Sequence, residues 1–208
     1  MNNEKEKAPG LFMVISAPSG AGKTSICRRL LDKCPNLRFS VSHTTRVPRP
    51  GEAEGRDYYF ISPAEFQERI ARGEFVEWVE NYGQFYGTAR SAIQPLLEQG
   101  FDLIVDVEPR GAKEFKMNYP GGIFVFILPP SWQELKTRLI KRGGEKENAL
   151  QERLQKAREE SRAVVWYDYA IFNDRLDAAV EQLNAIYVAE KVRRERSMER
   201  ITRLFDKE

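Results

Sequence analysis

The sequence predicts an α/β fold built on a parallel sheet, with a smaller mixed-strand segment set into it. Three observations carry this. Short apolar runs alternate with helix-patterned segments along most of the chain, as expected of strands buried on both faces. A Gly-rich loop joins the first such run to the first helix. Between about residues 42 and 91 the rhythm breaks into shorter strands punctuated by Pro and Gly.

Leu11 to Ile15 is a continuous apolar run and reads as a buried strand. Lys23 to Lys33 reads as a helix with Ile26, Leu30 and Leu31 on one side. It stops at Cys34-Pro35-Asn36, because a proline disfavours a helical residue before it. Phe39 to Tyr59 reads as strand, loop, strand, since Pro48, Pro50, Gly51 and Gly55 forbid a long helix. Ser62-Pro63-Ala64-Glu65 opens a short helix to about Arg72, with Ser as N-cap, Pro first and Glu third. Phe75 to Val79 alternates as a strand, Tyr82 to Tyr86 is a Gly-containing turn, and Ser91 to Gln99 is a helix stopped by Gly100. Phe101 to Val107 and Ile123 to Leu128 are further buried strands, with a helix from Pro109 to Lys116 between them. Ser131 to Arg142 is a basic helix ended by Gly143-Gly144, and Asn148 to Arg162 is a helix charged on most faces. Ala170-Ile171-Phe172 is a fourth short strand, and Asp177 to the C-terminus is one long helix or two. Residues 42–91 are therefore expected to form a subdomain inserted into an α/β core.

The 208 residues suit one domain with insertions, and 41% hydrophobic against 31% charged residues leaves material for a core. A net charge of +2 makes no global case for nucleic acid or an anionic membrane as partner. The most apolar run, Ile123 to Leu128, is far too short to span a bilayer, and MNNEKEKAPG is not followed by a signal-type apolar stretch. Cys27 and Cys34, seven residues apart, resemble neither a disulfide framework nor a zinc site and read as reduced thiols. A cytoplasmic protein is the expectation.

The chemistry begins at Ala17-Pro18-Ser19-Gly20-Ala21-Gly22-Lys23-Thr24. Successive backbone N–H groups of a Gly-rich loop bind phosphate oxygens, and the helix that follows adds its positive end. Lys23 would reach the β- and γ-phosphates of ATP and the Thr24 hydroxyl would sit on Mg²⁺. The strict pattern begins with Gly; here Ala17 stands in its place, so the backbone there must tolerate a Cβ. A plain turn with a surface lysine is the bland alternative, but it would need neither Gly-Lys-Thr nor a strand-to-helix setting.

A second constellation is Ser42-His43-Thr44-Thr45-Arg46-Val47-Pro48-Arg49-Pro50-Gly51-Glu52. Two arginines on a proline-stiffened loop suit phosphate, with Tyr58 and Tyr86 as possible hydroxyl donors. Alone, a solvated basic loop would explain them equally well. Taken in order with Arg56-Asp57-Tyr58, Glu74-Phe75-Val76-Glu77-Trp78 and Tyr86-Gly87-Thr88, however, the chain resembles guanylate kinase over about residues 10 to 189.

That resemblance implies a P-loop kinase core with a parallel five-stranded sheet, an inserted GMP-binding subdomain (about 42–91) and a helical lid (about 131–162). A C-terminal helical extension (190–208) would follow. It implies reversible transfer of a phosphoryl group from ATP to GMP or dGMP with Mg²⁺, a step in GMP recycling and GTP and dGTP supply. Ala17 to Thr24 would hold ATP, with Arg138 and Asn173 near it. Ser42, Glu77 and Thr88 match positions facing guanine, whose N1–H and exocyclic amine one carboxylate can accept. Arg46, Arg49, Tyr58 and Tyr86 match positions holding the GMP phosphate, and Glu52 lies in the same loop. Lys23, Arg46, Asp106 and the lid residues Arg142 and Arg153 would serve the transfer itself. Where the family usually has Asp and then Gln before Gly111, this sequence has Glu108 and Arg110. Glu108 would still face the guanine amine; Arg110 reads as surface.

Two other readings compete: a guanylate-kinase-like module that binds phosphopeptide without catalysis, and a small kinase for a sugar phosphate. The intact Gly22-Lys23-Thr24 argues against the first, and Ser42, Glu77 and Thr88 argue against the second. Val192 to Phe205, with Ile201, Leu204 and Phe205 near helical spacing, packs on the core or on a second copy in a homo-oligomer; the sequence leaves both open.

Overall fold

The structure, a computed structural model, describes residues 10–81, 83–142 and 147–205. Its centre is a five-stranded sheet in the order β2-β7-β1-β8-β9, formed by β1 (Phe12–Ser16), β2 (Leu37–Phe39), β7 (Asp102–Asp106), β8 (Ile123–Leu128) and β9 (Tyr169–Phe172). Every pairing in it is parallel. The central strand explains why. Every residue of β1 is buried, and alternation sends its side chains to two cores. Met13 and Ile15 join Ile26, Leu30, Val125, Leu183 and Tyr187 on the face covered by α1 (Lys23–Lys33) and α7 (Leu176–Lys191). Phe12 and Val14 join Ile93, Leu103, Val105, Phe115 and Phe124 on the other face, covered by α3 (Gln94–Glu98) and α4 (Pro109–Asn118).

In sequence between β2 and β7 comes a second, mixed sheet of order β4-β3-β6-β5, made from β3 (His43–Thr44), β4 (Tyr59–Phe60), β5 (Phe75–Asn81) and β6 (Gln84–Ala89). Helix α2 (Pro63–Ala71) closes its own small core of Phe66, Phe75 and Ala89. Its start is as the sequence suggests: Ser62 Oγ accepts from Glu65 N–H at 3.1 Å, and Pro63 opens the helix. Helices α5 (Trp132–Arg142) and α6 (Glu147–Ser161) pack on each other through Leu135, Leu139, Leu150 and Ala157.

Three expectations are corrected. The Tyr82–Tyr86 turn is too long, since β6 already begins at Gln84 and pairs antiparallel with β5. Leu37–Phe39 is a core strand beside β7, ahead of the inserted segment. The helix expected from Ser91 to Gln99 is a 3₁₀ turn at Arg90–Ala92 followed by α3. Of the two forms left open for the C-terminal segment, the structure has two helices, α7 and α8 (Arg194–Phe205). No residue of α8 is buried, Ile201 is half-buried, and Leu204 and Phe205 are exposed.

Candidate active site

The loop from Ala17 to Gly22 connects the end of β1 to the start of α1. Gly20 and Gly22 have φ of +91° and +95°, which L side chains rarely adopt. A Cβ on Gly22 would also lie 2.3 Å from Asn173 Nδ2. That amide, from just beyond β9, donates to Ala21 O at 2.7 Å and braces the loop from below. Ala17 is buried within the main core cluster, so the position has room for the methyl group that departs from the strict pattern. Helix α1 begins at Lys23 with no side-chain cap and no acidic residue in its first turn. Its N-terminal positive end is therefore open to an anion. Lys23 pairs with Asp106 at the end of β7 and lies 3.4 Å from Val107 O. Burial works against the Lys23 charge, but Asp106 outweighs it and holds the ammonium above its ordinary value. Thr24 is exposed beside it.

The second sheet carries a different pocket. Glu77 on β5 and Thr88 on β6 are direct cross-strand partners. Thr88 Oγ1 donates to Glu77 Oε1 at 2.8 Å, and Ser42 Oγ lies 3.0 Å from Thr88 Oγ1. With the Thr88 proton spent on the carboxylate, Ser42 is the donor in the second bond. Burial pushes the Glu77 carboxyl up to about 7, against the Thr88 hydrogen bonds and with a smaller push from Glu108. The closest wall is Gly111 in the first turn of α4, where a Cβ would lie 2.5 Å from Glu77 Oε2. Gly111→Ala is therefore expected to turn the carboxylate out of the pocket. A cost of about 1–3 kcal/mol is expected, read as a lower unfolding midpoint together with a raised KM for the acceptor substrate.

Along the same sheet, Arg46 Nη2 pairs with Glu52 Oε1 at 2.9 Å and lies over the Tyr58 ring at 5.5 Å. Tyr58 and Tyr86 meet edge to face at 6.0 Å. Burial pushes the Tyr58 hydroxyl up to about 12, so it stays protonated and able to donate. Glu52 also accepts the Arg49 N–H at 2.8 Å, shaping the loop, while Arg49 itself is exposed. Asp57 links this region to the phosphate loop's helix, pairing with Arg28 at 2.7 Å.

Helix α6 approaches from the opposite side. Arg153 Nη2 donates to Ser19 Oγ at 3.0 Å. Arg138 on α5 pairs with Glu134 and reaches Asn173 O at 3.4 Å. The Arg142 side chain lies outside the described residues. Arg110 is exposed, as expected. Sequence reasoning missed Lys156 on α6, whose Nζ lies 2.7 Å from Asn81 Oδ1 and 3.2 Å from Glu108 Oε2. It placed Asn173 near ATP but did not give the bond by which its amide braces the loop. Neither set of contacts carries a local signal, since the partners are distant in sequence.

Several known proteins are similar to this chain. The family model described as "Guanylate kinase" matches residues 10–190. The chain is 54% identical to a guanylate kinase from Syntrophus aciditrophicus over 208 residues, covering 100% of both chains. It is 46% identical to one from Geobacter metallireducens, covering 96% of this chain and 98% of that one. A crystal structure of guanylate kinase from Anaplasma phagocytophilum superposes with a TM-score of 0.76 at 30% identity, covering 94% and 97% of the two chains.

Proposed function

Since this chain belongs to the guanylate kinase family, we propose that its two pockets divide the reaction between them, the 17–24 loop taking ATP and the Glu77 pocket taking GMP. The chain transfers the terminal phosphoryl group of ATP to GMP, giving ADP and GDP. The observation that carries the division is the buried Glu77 carboxylate. Once ionised it is an acceptor only, and guanine presents two adjacent donors, N1–H and the exocyclic amine. Ser42 and Thr88 fix its orientation.

The remaining residues position and neutralise. The loop amides and the open end of α1 bind the ATP phosphates, and Lys23 places a full positive charge beside them. Arg46, with Tyr58 and Tyr86, holds the GMP phosphate with an oxygen facing the donor. That oxygen is already ionised, so no general base is needed. Arg49 screens the same phosphate from the solvent side. Arg153, on a helix that acts as a lid, folds toward the triphosphate, a role the family pattern also gives Arg142, and Arg138 with Asn173 borders the adenine. Among the described residues no cluster of three or more His, Cys, Asp or Glu forms a metal cage. The Thr24 hydroxyl and the Asp106 carboxylate are hard oxygen donors that fit Mg²⁺ carried mainly by the substrate phosphates. Bound there, Mg²⁺ would neutralise charge on those phosphates. Among the described residues no helix is long and apolar enough to cross a membrane. The free thiols of Cys27 and Cys34 suit the reducing cytoplasm we propose as its setting.

An ADP-release assay with GMP, dGMP, AMP, IMP and ribose phosphates tests the reading. GMP and dGMP should turn over, IMP should be weaker for want of the amine, and AMP should be rejected by roughly 10⁴-fold. Turnover of none of them would leave the phosphopeptide-binding alternative.

A further inference from the structure

The contacts of Lys156 join three parts of the molecule that the reaction must bring together. The residue stands on α6. Its ammonium lies 2.7 Å from Asn81 Oδ1, the last residue of β5. It lies 3.3 and 3.2 Å from the two oxygens of Glu108, the N-cap residue of α4. Asn81 Nδ2 in turn donates to Glu108 Oε1 at 2.8 Å. The triangle is closed and consistent in polarity: the ammonium donates to the amide oxygen and the carboxylate, and the amide nitrogen donates to the carboxylate. Glu160, one helical turn along α6, lies 3.6 Å from the same ammonium.

Two features aim this triangle at the base pocket. Asn81 and Glu77 lie four residues apart on β5, so strand alternation puts them on one face. Glu108 and Gly111 lie three apart at the start of α4, and Gly111 is the wall against Glu77 Oε2. A side chain at 108 without a partner would be free to swing or to repel Glu77. An isolated surface ion pair would be worth little. Here both Lys156 and Glu108 have only about a third of their side chains exposed, and each makes more than one bond.

We propose that Lys156 is a positioning residue for the acceptor pocket: from α6 it fixes the Glu108 carboxylate and the end of β5, and so sets the wall of the base pocket. The proposal rests on the reading that the Glu77 pocket takes guanine.

Steady-state kinetics of Lys156→Met, Lys156→Arg, Glu108→Gln and the Lys156→Met/Glu108→Gln double variant test it. Methionine keeps the stem and loses the charge. The expected result is a rise of about tenfold in KM for GMP, with KM for ATP changed by less than about twofold. Arginine, which can still pair with Glu108, should recover most of the loss. In the double variant the loss should be well below the product of the single losses, because both changes break one unit. Unchanged KM for GMP in Lys156→Met would overturn the proposal. So would equal rises in both KM values with a lowered unfolding temperature, the mark of a purely structural role. The functional reading is checked separately on the unsubstituted enzyme: if that fails to use GMP, the reading falls and the proposal with it.

Discussion

Lys23→Ala is expected to lower kcat by about 10³-fold, the scale seen when a preorganised charge is removed from a developing anion. The reason lies in how Lys23 is held. It is the first residue of α1, so its backbone shares in the phosphate cradle while its side chain runs to the end of β7. There Asp106 and the Val107 carbonyl fix it. A flexible lysine would lose much of its effect to reorganisation; this one is set in place before substrate arrives. Its removal has a second consequence. Asp106 would stand without its partner next to the site where the phosphates bind, replacing attraction by repulsion. The Lys23 and Asp106 side chains retain 16% and 21% exposure, so Asp106 can be rehydrated and the fold should survive. The check is kcat in the ADP-release assay beside a thermal unfolding curve. A loss of rate with an intact unfolding transition is expected, and near-normal turnover would sink the assignment of the loop. Lys23→Arg should recover little, because a planar fork cannot replace a compact ammonium in the space between the loop and Asp106.

Much of this was legible because the residues concerned are local. The strand, loop and helix around Lys23 are contiguous in sequence, β1 and β8 are apolar along almost their whole length, and β7 has an apolar Leu-Ile-Val centre, as strands buried on both faces need. Leu37–Phe39 was harder to see. It is a three-residue edge strand whose middle residue, Arg38, is exposed, and only pairing with β7 makes it a strand. Gln84–Ala89 follows the turn residue Gly83 and carries Gly87 inside it, which obscures the strand, and its extended form comes from antiparallel pairing with β5. In the site, Glu77, Thr88 and Ser42 were found through the family pattern, but the order of their hydrogen bonds needed the register of β5 and β6. The bonds of Lys156 to Glu108 and Asn81 span 48 and 75 residues, and the pairing of Arg28 with Asp57 spans 29. In sequence each is one charged residue on a charged helix, with nothing local to mark it.

Glu77→Gln is expected to reduce kcat/KM for GMP by about 10³-fold, expressed mainly in KM, because an amide nitrogen would face the two guanine donors in a buried pocket. The substitution leaves an oxygen to accept from Thr88, so the strand pair should hold. It also isolates a pH effect whose sign follows from burial. In the free protein the carboxyl is pushed from 4.5 to about 7. Below about pH 7 it is protonated and offers guanine a donor where an acceptor is needed, so GMP binding must expel a proton. Affinity for GMP should therefore rise by up to about tenfold per pH unit toward 7, then level off. The GMP phosphate also titrates near about 6, so the decisive quantity is the difference in slope between the unsubstituted protein and Glu77→Gln. Binding calorimetry across pH 5.5–8 in two buffers of different ionisation enthalpy would show it. Stability of the free protein should move the opposite way. The folded-state value lies above the unfolded one, so the folded form holds the extra proton between about 4.5 and 7, and stability falls as pH rises through that window. The full loss is on the order of 3 kcal/mol. Urea unfolding at pH 5 and 8 should show the fall in the unsubstituted protein and a flatter response in Glu77→Gln. Equal slopes in both proteins would mean that the buried carboxylate is not the group that reads guanine. Opposite slopes for binding and stability would show that the same burial which costs the free protein stability above pH 7 also holds the acceptor in place for the base.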